Sequence, residues 1–98
     1  MTLPVLIRPE ALVDIRTSQS RYESAQKGLG NVFVDLVVEI LERIGDTPFL
    51  YGVVWQDVRA ARTRKFPYLV YYVVLIDRIE VIAVLHASQD EPAWQHRQ

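Results

Sequence analysis

Apolar residues recur along this chain with two different periods, and the switches between them divide it into strand, helix and sheet segments. Leu3, Val5 and Ile7 alternate with period two and predict a strand over Thr2–Ile7. Pro4 cannot donate a ladder hydrogen bond, which places that strand at a sheet edge or delays its start. Pro9 then suits the first turn of a helix, with Glu10 and Asp14 near the positive end of its dipole. Its apolar stripe is Leu12, Ile15, Tyr22 and Ala25, interrupted at Ser18 and Gln19. After Gly28 and Gly30 the spacing becomes regular: Leu29, Val32, Phe33, Leu36, Val37, Ile40, Leu41 and Ile44 form one helical stripe. Glu39, Glu42 and Arg43 take the opposite side, and Gly45 is the expected stop. Lys27 to Gly30 joins the two helices into a hairpin.

Past the loop from Asp46 to Gly52, period two returns. Val58 to Thr63 predicts a strand, although Ala60 and Ala61 are weak strand formers. Tyr68 to Leu75 is apolar on both faces, as expected of a central strand covered on two sides. Asp77 and Arg78 make a turn, and Ile79 to His86 returns. Strict alternation puts Ile79, Val81, Ala83 and Leu85 on one face, with Glu80, Ile82, Val84 and His86 on the other. Ser88, Gln89 and Asp90 are placed to cap a short last helix that carries Trp94. The expected fold is α+β: an N-terminal strand, a two-helix hairpin on one sheet face, a three-strand antiparallel meander and a short C-terminal helix.

Composition narrows the function classes. A chain of 98 residues, 50% hydrophobic, forms one domain over 1–98 with a core that needs no metal or disulfide. The absence of cysteine removes disulfides, thiolate metal sites and thiol nucleophiles together. No stretch approaches the roughly 18 apolar residues of a membrane span, so a soluble cytoplasmic protein is expected. Eleven Lys and Arg against twelve Asp and Glu leave a net charge of −1. A chain living mainly by nucleic-acid contact carries a positive excess, so any such role here rests on a local patch.

That patch is Arg59, Arg62, Arg64 and Lys65, four cations within seven residues and no carboxylate among them. Two readings stand: a solvated strand edge that discourages edge-to-edge pairing, or a surface facing phosphate or an acidic protein segment. His86 lies within a predicted strand. Its ordinary pKa of about 6.5 suits acid–base work, yet no second His, Asp or Glu stands at triad-like spacing and a structural role is the alternative. His86 and His96 have no carboxylate near them that would complete a metal ligand set, so neither a metal nor a cofactor is expected. By alternation Tyr68 and Tyr72 share one face and Tyr71 takes the other; they belong to the core or, beside arginines, to a base-stacking surface. Trp94 either packs on the sheet or contacts a partner.

The blocks VRAARTRKFPYLVYYVV, DRIEVIAVLHASQD and PAWQHR, with IRPEALVDI, RYESAQKGLGNVF and TPFLYG upstream, together resemble the RelE/ParE superfamily of bacterial type II toxin–antitoxin systems. The most specific part is Phe66-Pro67-Tyr68 followed by Val84-Leu85-His86 and Asp90. The resemblance implies a compact toxin held harmless by a co-expressed antitoxin, in a hetero-oligomer. It implies one of two targets. ParE-like members block DNA gyrase without covalent chemistry; RelE-like members cut mRNA on the ribosome. Arg59, Arg62 and Arg64 fall where the nucleases place cations, and His86 would be their acid or base. The tail offers Trp94, Gln95, His96 and Arg97 but no tyrosine after Tyr72, and the chain is slightly acidic. Those two departures, with the VLH…D strand ending, favour the ParE-like side. On that side Arg59, Arg62, Arg64, Lys65 and Trp94 are expected to contact antitoxin or target.

Overall fold

The computed structural model describes residues 2–88 and 93–97. Strand β1 spans Val5–Ile7 and helix α1 Pro9–Ala25; helix α2 spans Leu29–Asp46. Strands β2 (Val53–Trp55), β3 (Val58–Arg62), β4 (Tyr68–Val74) and β5 (Ile79–His86) follow, and a 3-10 turn closes the chain at Ala93–Arg97. The strands form one five-stranded sheet in the order β1-β5-β4-β3-β2, antiparallel except for the parallel pair β1–β5. The expected meander is thus one strand longer than its sequence indicated: β2 pairs with β3 through a tight turn in which Gln56 takes a left-handed φ of 49°.

The helical hairpin is fastened by one side chain. Glu23 of α1 accepts hydrogen bonds from the backbone N–H groups of Gly28 (2.9 Å) and Gly30 (3.0 Å), satisfying donors that open α2 and have no partner within it. Gly28 itself has φ 89°, a conformation that favours glycine. At Gly30 the helices nearly touch: a Cβ there would stand 2.7 Å from the Gln19 carbonyl oxygen. Gly45, the expected stop, lies inside the last turn of α2 instead. Its carbonyl accepts the Leu3 N–H (3.0 Å), and the helix is capped two residues later by Thr47, whose N–H and hydroxyl both reach the Arg43 carbonyl. The reason for that glycine is close approach to β1, since a Cβ would meet Leu3 and Val5 at 3.3 Å.

Two apolar layers sandwich the sheet. Beneath the hairpin, Ala11, Ile15, Phe33, Val37, Ile40 and Ile44 pack on Ala61, Tyr68, Val70, Tyr72, Ile79, Val81 and Val84. Full burial of such aliphatic and aromatic side chains contributes about 1.5–3 kcal/mol each before entropy is counted. On the outer face Val58, Val73, Ile82, Ala83 and Trp94 form a second cluster, flanked by Trp55, Tyr71, Leu75 and Leu85. Tyr68 and Tyr72 therefore share the helix-side layer and Tyr71 the outer one, as alternation requires.

The faces of β5 depart from strict alternation. Tyr71 pairs with Ala83 and Tyr72 with Val81, so Ile82 is an extra residue in a bulge. Beyond it the side chains change sides. Val84 joins Val81 in the helix-side layer, while Ala83 joins Ile82 outside. The bulge is also where β1 ends, because β1 pairs only with Ile79, Glu80 and Val81. Past that point the open edge of β5 is closed by side chains. Asp14 of α1 accepts the Val84 N–H at 3.0 Å, and Arg97 donates to the Ile82 carbonyl at 3.0 Å.

Candidate functional site

The basic segment lies on β3 and the turn that follows it, where the strand leaves the sheet and passes beneath the middle of α2. The turn is stiff. Thr63 Oγ1 donates to the Phe66 carbonyl (2.6 Å), the Phe66 N–H to the Arg64 carbonyl (2.7 Å), and the Thr63 N–H to the Tyr68 carbonyl (3.0 Å). Lys65 takes a left-handed φ of 66° at its tip. That conformation costs a non-glycine residue about 1–2 kcal/mol, which the surrounding hydrogen bonds offset. The four cations project from a fixed frame.

They do not form one surface. Arg59, opposite Tyr72 in the ladder, folds back over the preceding loop: its Nη1 donates to the Tyr51 carbonyl at 2.6 Å, and its guanidinium sits 5.1 Å from the centre of the Phe49 ring. This is a cation–π contact with an exposed aromatic, and it holds the Pro48–Tyr51 loop against β3. Arg62 and Arg64 line a cleft against α2 with Leu36, Glu39, Ile40, Arg43 and Tyr51. Arg64 grips Glu39 through two parallel bonds of 2.9 Å. That grip holds the Glu39 carboxyl below its ordinary range and raises the Arg64 guanidinium further. Lys65 is exposed at the tip.

His86 stands elsewhere. It faces Tyr68 across β4, with ring centroids 5.4 Å apart and edge-to-face, and its Nδ1 accepts the Ser88 N–H at 3.0 Å. In the neutral ring that bond leaves the proton on Nε2. Two strand spacings, about 10 Å, separate it from the end of β3. Trp94 belongs to the outer layer, 6% exposed, stacked on Tyr71 at 4.4 Å and edge-on to Trp55 at 5.6 Å. His96 is exposed in the 3-10 turn; the helix cap expected at 88–90 runs into 89–92 and, with Asp90, lies outside the described residues. Among the described residues no group of three or more His, Asp or Glu is placed to hold a metal ion. No helix among them is long and apolar enough to cross a membrane.

Sequence reasoning missed the α2 half of the cleft. Glu39 and Arg43 are four residues apart on the polar side of a helix, a spacing that reads as ordinary solvation. Only the crossing of α2 over β3 brings them to Arg62 and Arg64.

The fold has a counterpart among known proteins. The family model of the ParE toxin of type II toxin–antitoxin systems, parDE, matches residues 5–91. The chain belongs to the ParE toxin family. In this family chain the match begins at β1 and runs past β5, so it takes in both helices and the whole sheet. A solved structure of the chromosomal ParDE TA system from P. aeruginosa has the same fold: TM-score 0.68 at 12% identity, over 89% of this chain and 98% of that one. A search of curated proteins finds no match.

Proposed function

We propose that this ParE-family toxin arrests growth by binding DNA gyrase in the cytoplasm, and that a cognate antitoxin neutralises it in a hetero-oligomer. The observation that carries this reading is the state of the cations. A phosphate-cleaving site needs charge aimed at the reacting phosphoryl group before the substrate arrives. Here the Arg59 guanidinium is turned to the Tyr51 carbonyl and the Phe49 ring, and that of Arg64 to Glu39. His86, the acid–base candidate that the sequence offers, lies on β5, with β4 between it and β3. Such a surface suits recognition by exchange of ion pairs better than catalysis. The antitoxin contact is drawn from Arg62, Arg64 and Lys65, with Arg59 and Trp94 acting through the loop and layer they hold in place.

Purified toxin added to a gyrase supercoiling reaction tests the target. Supercoiling should fall as toxin is added and recover when antitoxin is added in excess. Supercoiling that persists at saturating toxin sinks the gyrase assignment. Codon-linked cuts in mRNA after induction would transfer the chain to the ribosome-dependent nucleases.

A further inference from the structure

The cleft between α2 and the end of β3 has a volume of about 180 Å³ and an unusual charge balance. Three guanidinium side chains, from Arg43, Arg62 and Arg64, line it with one carboxylate, Glu39. Arg64 takes that carboxylate in a two-pronged fork; neither Arg43 nor Arg62 forms an ion pair among the described residues. The fork lies at the surface, with the Arg64 side chain 61% exposed and that of Glu39 36%. An exposed pair of this kind holds weakly and exchanges readily for another of the same chemistry. Below the charges the floor is apolar, made by Leu36 and Ile40, each only 7% exposed.

That combination selects its occupant. Three cations facing one carboxylate leave a local excess of positive charge, so the cleft attracts a second anion. An apolar floor beside it suits a side chain of an acidic, partly apolar peptide. A polynucleotide fits worse, since it would bring phosphates against Glu39 and gain nothing from Leu36 and Ile40. We propose that this cleft is a carboxylate-exchange site. In the free toxin Glu39 occupies the Arg64 fork; on assembly an acidic side chain of the antitoxin displaces it and bridges Arg64 to Arg43 and Arg62, with a neighbouring apolar residue on the floor. Glu39 is then a built-in competitor that lowers the affinity of the toxin for its own inhibitor. The inference rests on the antitoxin reading above and adds Glu39 and Arg43 of α2 to it.

The test uses the full chain and its cognate antitoxin, with dissociation constants measured by calorimetry at two salt concentrations. Glu39→Gln keeps the shape of the side chain and removes its charge, so binding should tighten by about threefold and become more sensitive to salt. Arg43→Gln should weaken binding by a similar factor although Arg43 lies far from the basic segment in sequence. In the complex, the Arg64 Nε–H resonance should differ from its position in the free toxin, and in Glu39→Gln the free toxin should lack the fork-bound shift. Arg43 is exposed and Glu39 half-buried at the surface, so both variants should fold, which thermal melts verify. Antitoxin affinity that ignores both Glu39→Gln and Arg43→Gln overturns the exchange site while leaving the toxin–antitoxin reading intact. No antitoxin binding by any form, wild type included, removes both. Tightening by Glu39→Gln toward a short single-stranded oligodeoxynucleotide, and not toward the antitoxin, assigns the cleft to nucleic acid and overturns the proposal.

Discussion

Asp14 and Arg97, separated by most of the chain, meet as an ion pair of 2.7 Å that closes the sheet where β1 stops. Each has a second task at the same place. Asp14 accepts the Val84 N–H, and Arg97 donates to the Ile82 carbonyl, so the pair stands in for the missing strand on either side of the bulge. The Arg97 carbonyl in turn accepts from Arg8, whose Nε is held by Glu80 at 2.8 Å. A strand edge with unmet N–H and C=O groups is a template for unwanted pairing, and this network occupies it.

Removing either partner should therefore destabilise the domain more than a surface ion pair would. The side chains are 11% and 23% exposed, between the surface and the buried case. Asp14→Ala is expected to cost about 2 kcal/mol, above the ~1 kcal/mol ceiling of exposed pairs and below the ~3–5 kcal/mol of fully buried ones. Urea denaturation of Asp14→Ala, Arg97→Ala and the double variant gives the coupling directly. A loss below about 0.5 kcal/mol in both single variants would mean the pair does not anchor the terminal turn.

Gly30→Ala reverses the usual sign of a helical glycine replacement. In an open helix alanine is favoured over glycine by about 0.8–1 kcal/mol. At this position the added methyl would stand 2.7 Å from the Gln19 backbone oxygen, and a helix backbone cannot yield locally. The expected outcome is a loss of about 1–3 kcal/mol, from separation of α1 and α2. It is measured as a lower urea midpoint, and an unchanged or raised midpoint would show that the hairpin can open without penalty.

Trp94 separates two kinds of role. As part of the outer layer, stacked on Tyr71 and 6% exposed, its truncation to alanine should cost about 3 kcal/mol and quench the near-ultraviolet dichroism of the aromatic pair. A residue held in reserve for a partner would behave in the opposite way. Stability would be unchanged while antitoxin affinity fell.

How far the sequence could be read depended on whether the deciding contact was periodic or local. The α2 stripe, the apolar β4 and the Tyr68/Tyr72 against Tyr71 division all follow from repeat alone, and the structure has them. The bulge at Ile82 has no such signature; one extra residue reversed the side-chain faces of β5 past Ile82. Gly45 read as a helix stop because close approach to β1 and termination both favour glycine. β2 goes unassigned between the expected loop and strand, since three residues are too few to show alternation. The basic segment was visible as composition, but its division into an Arg59 latch and an Arg62–Arg64 cleft was not. That division depends on α2 crossing β3 and on Glu39, 25 residues away from Arg64 in sequence.

Tyr72 gives the fold an alkaline limit. Its hydroxyl donates to the Pro48 carbonyl at 2.7 Å beneath the hairpin, and burial pushes its pKa up to about 12. An unfolded tyrosine ionises near pH 10, so between roughly pH 10 and 12 the unfolded chain gives up a proton that the native state keeps. Stability from this group is complete below the unfolded pKa and is lost as pH rises toward the folded one. Burial raises Tyr71 as well, and its contribution has the same sign. Tyr72→Phe should lose about 1 kcal/mol at neutral pH, because the hydrogen bond is gone and the Pro48 carbonyl is left without it. Above about pH 10 its stability should then fall less steeply than that of the wild type, with the remaining slope due to Tyr71 and Tyr22, both raised by burial. Urea midpoints measured in steps from neutral pH to strong alkali decide the matter: parallel curves for the two proteins would show that the buried Tyr72 hydroxyl does not set the limit.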